Sequence, residues 1–319
     1  MNGVIVMDKP GGFTSFDVVA VMRGVCRERK IGHTGTLDPM ATGVLPLLLG
    51  TATRALPFLG DTGKEYQAGF RLGAATDTQD STGKTVAESG AKAARAQLEA
   101  MLPRFRGEIL QTPPMYSAVS VNGKRLYDLA RQGVEVERAK RPVTIFRLEL
   151  TEFDESSQSG RLVVSCSKGT YIRTLCADIG EALGTYGMMT ALRRTRASGF
   201  TLDGALTMEE AKSLSAQGRL AEHVLSVESL FADDPAVSVS AAQAVRFSNG
   251  GELDLERTPL RGSEPPQGAR YRVCSPEDVF LGLGEIRGGT LAVLRLFGGG
   301  SATLHPMPRP ANRLKGFPG

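Results

Sequence analysis

Apolar runs separated by glycine and proline predict a series of strands in the first quarter of the chain. Residues 3–7 form the first run, which a Lys-Pro-Gly-Gly sequence ends. Thr14 or Ser15 then caps a helix whose apolar residues recur at helical spacing. The apolar run 44–49 and the alternating residues 66–72 predict two more strands. The pattern therefore predicts strands around one amphipathic helix.

The middle of the chain adds helices with recognisable start and stop signals. Residues 91–102 predict a helix that the next proline stops. The alternating run 162–166 predicts a strand, and Thr170 is expected to cap the amphipathic helix that follows it. Thr207, with a glutamate three residues later, predicts a capping box, and Gly218 a helix stop. Helices and strands therefore alternate without a fixed period.

From about residue 236 the pattern changes to short strand-like pieces between glycines and prolines, at 271–273, 279–284 and 291–296. This sequence pattern is typical of a small β-rich domain or barrel. The Asp-Asp-Pro sequence at 233–235 predicts an exposed joint, which gives domains 1–234 and 235–304. The proline- and glycine-rich residues 305–319 predict a flexible tail.

Composition narrows the class of protein. Hydrophobic residues make up 41% of the 319 residues, enough for a sizeable core. No apolar run reaches the length of a membrane span, and the N-terminus lacks a basic segment before its apolar stretch, so we expect a cytoplasmic protein. The four cysteines form no C-x-x-C pair and there are only three histidines, so neither a metal site nor a disulfide framework is indicated.

Charge is unevenly spread along the chain. Residues 201–240 hold seven acids and two bases, whereas residues 104–147 hold nine bases and four acids. Arginine accounts for 28 of the 38 basic residues, and its planar fork suits phosphate. Arginine richness can also reflect a high-GC genome, so the asymmetry only favours an anionic partner.

The glycine-rich loop 32–43 is the richest place for chemistry. It matches neither G-x-x-x-x-G-K-[ST] nor G-x-G-x-x-G, so a nucleotide-binding loop is not indicated. Asp38 stands in it between Leu37 and Pro39. A lone loop aspartate is usually a turn or cap residue, so the local sequence leaves Asp38 open between that role and catalysis.

Seven motifs in chain order resemble those of the TruB family of tRNA pseudouridine synthases, and the match spans residues 3 to 200. The motifs are 7–10, 32–46, 64–66, 76–80, 111–119 with 122–131, 166–175 and 192–194. The resemblance implies an α+β fold: a catalytic domain on a mixed, largely antiparallel sheet with flanking helices, and a small PUA-like β-barrel from residue 235.

The resemblance implies isomerisation of uridine to pseudouridine at position 55 of the tRNA T loop, with no cofactor and no metal. Asp38 corresponds to the family's nucleophile, and Arg173 to the arginine that keeps its carboxylate charged. Tyr66 corresponds to the tyrosine that stacks on the target base and can take part in proton transfer. From local pattern alone, Tyr66 is an ordinary strand aromatic.

The resemblance also implies which residues bind the substrate. Tyr171 and Leu192 correspond to residues that line the base pocket, although both also suit a core. His33 corresponds to the histidine that fills the gap left by the flipped base. Lys9 is expected to support the tyrosine or the N-terminal turn; otherwise it is a solvated lysine.

Contacts with the rest of the RNA are expected from two regions. Ser120 stands where the family usually has lysine, and Lys124 or Arg125 can partly replace that phosphate contact. The PUA-like domain is expected to grip the acceptor-stem side of the tRNA. We expect a monomer with no obligatory protein partner and no membrane contact.

Two other functions remain possible for such a chain. A guide-RNA-dependent relative shares the catalytic motifs but acts inside a ribonucleoprotein and usually has an extension before the Lys-Pro element, for which Lys9 leaves no room. The other possibility is a protein that binds or folds RNA and does not need to catalyse a reaction. The presence of Asp38, Tyr66 and Arg173 argues against that function.

Overall fold

The computed structural model describes residues 1–60, 63–121 and 123–297. In chain order its strands are β1 (Gly3–Lys9), β2 (Ile31–His33), β3 (Thr42–Leu49), β4 (Lys64–Leu72), β5 (Ala74–Thr76), β6 (Thr85–Glu88), β7 (Gly107–Gln111), β8 (Ser120–Val121), β9 (Lys124–Arg125), β10 (Arg141–Asp154), β11 (Ser159–Cys166), β12 (Gly187–Ala197), β13 (Phe200–Thr201), β14 (Ala236–Ser238), β15 (Leu253–Asp254), β16 (Arg270–Cys274), β17 (Phe280–Arg287) and β18 (Thr290–Leu296). Its α-helices are α1 (Ser15–Val25), α2 (Arg95–Met101), α3 (Leu126–Arg131), α4 (Ile172–Ala182), α5 (Met208–Ala216) and α6 (Ala241–Ser248). The tail predicted at 305–319 lies outside the described residues.

Within the described ranges, a nine-stranded sheet forms the body of the molecule. Its order is β1-β3-β12-β4-β11-β10-β7, with β2 beside β3 and β13 beside β12. The β3–β12 pair is parallel and the other pairs are antiparallel. This agrees with the mixed, largely antiparallel sheet expected from the sequence. No helix of the described residues is long and apolar enough to cross a membrane.

Strands β1 and β3 contain the long apolar runs 4–7 and 44–49 because both of their faces are covered there. Ile5 and Met7 pack in a cluster with α1 and α5, whereas the alternate residues Val4 and Val6 pack in a different cluster. Thr14 caps α1 by accepting a hydrogen bond from the Asp17 backbone N–H at 3.0 Å. The helix therefore begins where the sequence predicted, and it lies against the strand that carries Lys9.

The C-terminal region folds as a curled five-stranded sheet, a half-barrel in the order β14-β16-β17-β18-β15. It has its own core around Phe247 and Val273. It also shares a core with the first domain, because Leu283 and Phe297 pack in one cluster with Val4, Val44 and Phe231. The two sheets are therefore joined by apolar packing.

Polar contacts strengthen this joint. Arg270 forms an ion pair with Asp234 at 2.8 Å, lies over the Phe231 ring and donates to the carbonyl of Phe58. Arg272 pairs with Glu228 at 2.6 Å. Asp234 is therefore held in an interface and does not lie in the open joint that the Asp-Asp-Pro sequence predicted.

Several element boundaries differ from the sequence prediction for tertiary reasons. Helix α2 begins at Arg95, four residues late, because Gln158 bonds both the N–H and the carbonyl of Ala93 and holds that residue extended. The predicted cap of α4 is also wrong: Tyr171 takes that position, and the Thr170 hydroxyl donates to the Ser167 carbonyl. Strands β10 and β12 and helix α6 were not predicted.

Candidate active site

Asp38 and Arg173 form the centre of the site, although 135 positions separate them in the chain. The Arg173 Nε donates to Asp38 Oδ2 at 2.9 Å, and its Nη2 donates to Oδ1 at 3.3 Å. The Arg173 side chain is 5% exposed and that of Asp38 34% exposed. One face of a paired carboxylate is therefore open to a ligand, while its counter-ion is buried behind it.

The Arg173 guanidinium is fixed by backbone as well as by Asp38. Its Nη1 donates to the Thr78 carbonyl and its Nη2 to the Tyr116 carbonyl, both at 2.9 Å. The residue lies in the first turn of α4, where the helix dipole alone disfavours a cation. The carboxylate and the two carbonyls provide the compensating interactions.

A second carboxylate, Asp80, lies 3.8 Å from the Arg173 Nε and is buried. Its Oδ1 accepts from the Thr78 hydroxyl at 2.8 Å and from the Thr82 N–H at 3.0 Å. These bonds hold Asp80 in place beside the guanidinium. The sequence analysis placed Asp80 in a motif but gave it no role, and its repeated Thr-Asp pattern was the available signal.

The loop that carries Asp38 is pinned from the N-terminal segment. The Ser15 hydroxyl accepts from the Leu37 N–H at 2.8 Å. Lys9, fully buried, donates to the carbonyls of Pro10 at 2.8 Å and Pro39 at 3.3 Å. Burial lowers the pKa of Lys9 to about 8, and the nearby Asp38 charge acts in the opposite direction. Lys9 therefore supports the turn and the Asp38 loop, and it is not a solvated lysine.

Arg194 clamps the same loop from the sheet. Its guanidinium donates to the carbonyls of Val44 at 2.8 Å, Gly35 at 3.0 Å and Thr36 at 3.3 Å. Gly43 is required beside it, because its φ is +105° and a Cβ there would collide with the Arg194 carbonyl. The sequence analysis placed Arg194 in a motif without assigning it a function.

Tyr66 and Leu192 belong to the apolar cluster that includes Leu37, the neighbour of Asp38, and Tyr171 caps the helix that carries Arg173. Tyr66 is 5% exposed on β4, and burial raises the pKa of its hydroxyl to about 12. Leu192 on β12 packs in the same cluster as Tyr66. Tyr171 precedes α4 and is half-buried, and its backbone is held on both sides by the Gln111 amide, at 3.0 and 3.3 Å. Gln111 is a further supporting residue to which the sequence analysis gave no role.

His33 ends β2, five residues before Asp38, and is half-buried. Burial lowers its pKa, and the nearby cations Arg194 and Lys64 lower it further. Its Nδ1 has no hydrogen-bond partner among the described residues. The imidazole is an aromatic ring of the kind that can stack on a nucleobase.

Lys124 and Arg125 lie outside this constellation. They form β9 of a small hairpin and are exposed. Within the described ranges neither forms a hydrogen bond or ion pair with Asp38, Tyr66 or Arg173. The following helix α3 carries Tyr127, which packs edge-on against Tyr116 at 6.2 Å. The hairpin is therefore linked to the site through Tyr116, whose carbonyl accepts from Arg173.

Three family models match consecutive parts of the chain. They are described as TruB family pseudouridylate synthase (N terminal domain) at 23–172, tRNA pseudouridylate synthase B C-terminal domain at 173–232, and Pseudouridine synthase II TruB, C-terminal, at 235–297. Together they cover most of the described residues.

Similar proteins cover nearly the whole chain. The tRNA pseudouridine synthase B of Azoarcus sp. strain BH72 is 45% identical over 93% of this chain and 95% of its own length. That of Pseudomonas fluorescens strain Pf0-1 is 42% identical over 93% and 95%. That of Bacillus velezensis is 41% identical over 87% and 90%.

Among solved structures, a Cbf5-Nop10-Gar1 complex contains a chain that is 26% identical, with a TM-score of 0.71 over 93% of this chain and 85% of that one. The archaeal box H/ACA sRNP Nop10-Cbf5 complex gives a TM-score of 0.69 at 24% identity, with coverages of 93% and 86%. These likenesses confirm the α+β fold expected from the sequence.

Proposed function

Because this chain belongs to the TruB family of pseudouridine synthases, we propose that it isomerises uridine 55 in the T loop of tRNA. The family predicted from seven ordered motifs is confirmed, and with it the class of enzyme. The named relatives act on tRNA and are similar to this chain over nearly their whole length, which supports the choice of substrate.

The open carboxylate of Asp38 on the buried Arg173 is the observation that carries this proposal. Isomerisation breaks the N1–C1′ bond and joins C1′ to C5, so C5 loses a proton and N1 gains one. A nucleophile for this reaction has to be charged yet poorly hydrated. Arg173 donates two hydrogen bonds to the Asp38 carboxylate, and the apolar cluster that contains Leu37, Tyr66 and Leu192 lies beside it.

We assign the surrounding residues to the target base. A uridine inside a folded loop has to leave its stack to reach a buried site. Tyr66 stacks on the base, Tyr171 and Leu192 line the pocket, and His33 occupies the gap in the RNA. The support for these roles is the burial of Tyr66 and Leu192 in the cluster that includes Leu37, the position of Tyr171 two residues before Arg173, and the position of His33 five residues before Asp38.

We assign RNA grip to the basic segment 104–147, including the exposed Lys124 and Arg125, and to the domain from residue 235. The T arm would lie on the first domain and the acceptor-stem side on the second. We propose that the chain acts as a monomer without a protein partner.

A guide-RNA-dependent enzyme is the second candidate, because the Cbf5 chains share the fold. We favour the stand-alone enzyme, since the relatives that are 41–45% identical are named tRNA pseudouridine synthase B and the similarity to Cbf5 is 26%. A protein that only binds or folds RNA would not need Asp38 paired with Arg173.

The test uses pure protein and an unmodified tRNA transcript labelled with tritium at uracil C5. Because C5 loses its hydrogen, tritium release reports turnover, and chemical mapping locates the product. We expect one pseudouridine at position 55 and none in a transcript with cytidine there. Release from another position, or dependence on added guide RNA or protein, would contradict the proposal.

Asp38→Asn is the matched catalytic control. The amide keeps the shape of the side chain but removes the nucleophilic charge, so turnover should vanish while tRNA binding stays nearly intact. Measurable product from the pure Asn variant would refute the assignment of Asp38 as nucleophile.

A further inference from the structure

Arg194 is the largest fully buried side chain of the described residues, and its charge is not matched by an acid. None of the carboxylates that the structure describes forms an ion pair with it. The charged groups near the Arg194 guanidinium include two further cations, Lys9 and Lys64. Burying an unmatched cation is unfavourable, which points to a role beyond packing.

Arg194 lies between the strand that carries Tyr66 and the strand that follows the Asp38 loop. On β12 it is paired in register with Tyr66 on β4 to one side and with Gly43 on β3 to the other. Three of its hydrogen bonds go to carbonyls of residues 35–44, and its charge lies close to the Tyr66 hydroxyl across the β12–β4 pair. One guanidinium therefore fixes the Asp38 loop and borders the phenol.

The groups around the phenol indicate which interaction favours its charged form. Arg194 on β12 and Asp38 in the loop both act on Tyr66. Burial and the Asp38 charge disfavour a phenolate there, whereas the charge of Arg194, paired with Tyr66 in register, favours it.

We propose that Arg194 is a positioning residue of the reaction, one that locks the Asp38 loop to Tyr66 and stabilises a transient Tyr66 phenolate. This inference rests on the proposed function. The phenol gives its proton to the departing base at N1, and the resulting phenolate takes the C5 proton after C5 has joined C1′. The electron pair of the C5–H bond stays in the ring, so protons and electrons balance without another reactant.

The test measures kcat and KM of Arg194→Lys and Arg194→Gln with the labelled transcript. Neither residue reproduces the arginine fork, so kcat should fall about 100-fold or more, the scale of a positioned proton transfer. The KM for RNA should stay within about two-fold if binding is unaffected. Arg196→Lys is the matched control, because Arg196 lies on the same strand but is exposed, so lysine can replace it without loss of a buried contact.

A second measurement separates phenolate stabilisation from a merely structural role. Fluorinated tyrosine placed at position 66 has a more acidic phenol, so it should restore part of the kcat lost in Arg194→Gln. In a Tyr66→Phe background the Arg194 substitution should cost little more. If Arg194→Gln does not fold, Arg194→Lys serves for the same comparisons.

The outcomes distinguish this inference from the proposed function. A wild-type enzyme that makes no pseudouridine in tRNA would refute the proposed function itself. An active wild type with Arg194 variants of unchanged kcat would overturn only this inference. Loss of kcat that fluorinated tyrosine does not relieve, and that is equally large in the Tyr66→Phe background, would also overturn it.

Discussion

Truncation after Asp234 should leave a folded catalytic fragment of clearly lower stability than the full chain. The fragment keeps the clusters around α4 and around α1, which contain no residue beyond 224. It loses Leu283 and Phe297 from the shared cluster, and it uncovers Phe231, which is 2% exposed in the full chain. The first domain should therefore survive with one face open.

The size of the loss follows from the uncovered surface. Exposing one fully buried large apolar side chain costs about 1.5–3 kcal/mol. Uncovering Phe231 therefore removes about 1.5–3 kcal/mol, a large share of the about 5–15 kcal/mol by which whole domains are stable. We therefore expect a fragment with native circular dichroism at 25 °C but a much lower midpoint in urea.

The assay compares the fragment and the full chain in urea unfolding and in turnover of two substrates, a T-arm hairpin and whole tRNA. The hairpin is too short to reach the second domain, so the fragment should retain most of its hairpin activity and lose affinity for whole tRNA. Equal midpoints would refute the energetic role of the joint. Equal losses on both substrates, or an unfolded fragment, would refute the division between chemistry and grip.

Three further predictions concern the site and its surface. Arg173→Lys keeps the charge but loses about two of the charge-assisted hydrogen bonds. The activation free energy should therefore rise by about 3–6 kcal/mol, which lowers kcat about 10²–10⁴-fold, with tRNA affinity nearly unchanged. A variant that only weakens binding would show that the pair with Asp38 is unimportant. Lys9 has a pKa of about 8 in the folded chain against an ordinary 10.5, so between these values the unfolded chain binds more protons at this residue, and Lys9 adds about 3 kcal/mol to the free energy of unfolding as the pH rises. The difference in unfolding free energy between wild type and Lys9→Met in urea should change by that amount over this range, because the buried cysteines and Tyr66, which act in the opposite direction, are common to both proteins; a constant difference would refute the role of Lys9. Binding of tRNA should weaken by about 10³–10⁵ between 50 and 200 mM salt if about six to ten phosphates are contacted, and a flat response in a filter-binding assay would exclude the basic segment 104–147 as the docking surface.

Local patterns in the sequence were sufficient for the elements that local forces determine. The capping box at Thr207 places the start of α5, because the bonds that make it join residues three apart. For α1 the sequence left Thr14 and Ser15 open as caps, and the structure has Thr14. The stop at Gly218 has φ +73°, as a helix-ending glycine requires. Ordered motifs were likewise sufficient for the family, and they indicated Asp38, Tyr66 and Arg173 as the residues of the site.

Tertiary structure decided everything that depends on residues distant in the chain. The sequence could not show that Gln158 delays the start of α2, or that Phe231 and Phe297 join the two sheets in one core. It could not show the contact of Arg194 with Tyr66, which arises because β12 lies between β3 and β4. Composition and periodicity report which surfaces are apolar, but which buried charge meets which partner is fixed only when the strands take their order in the sheet.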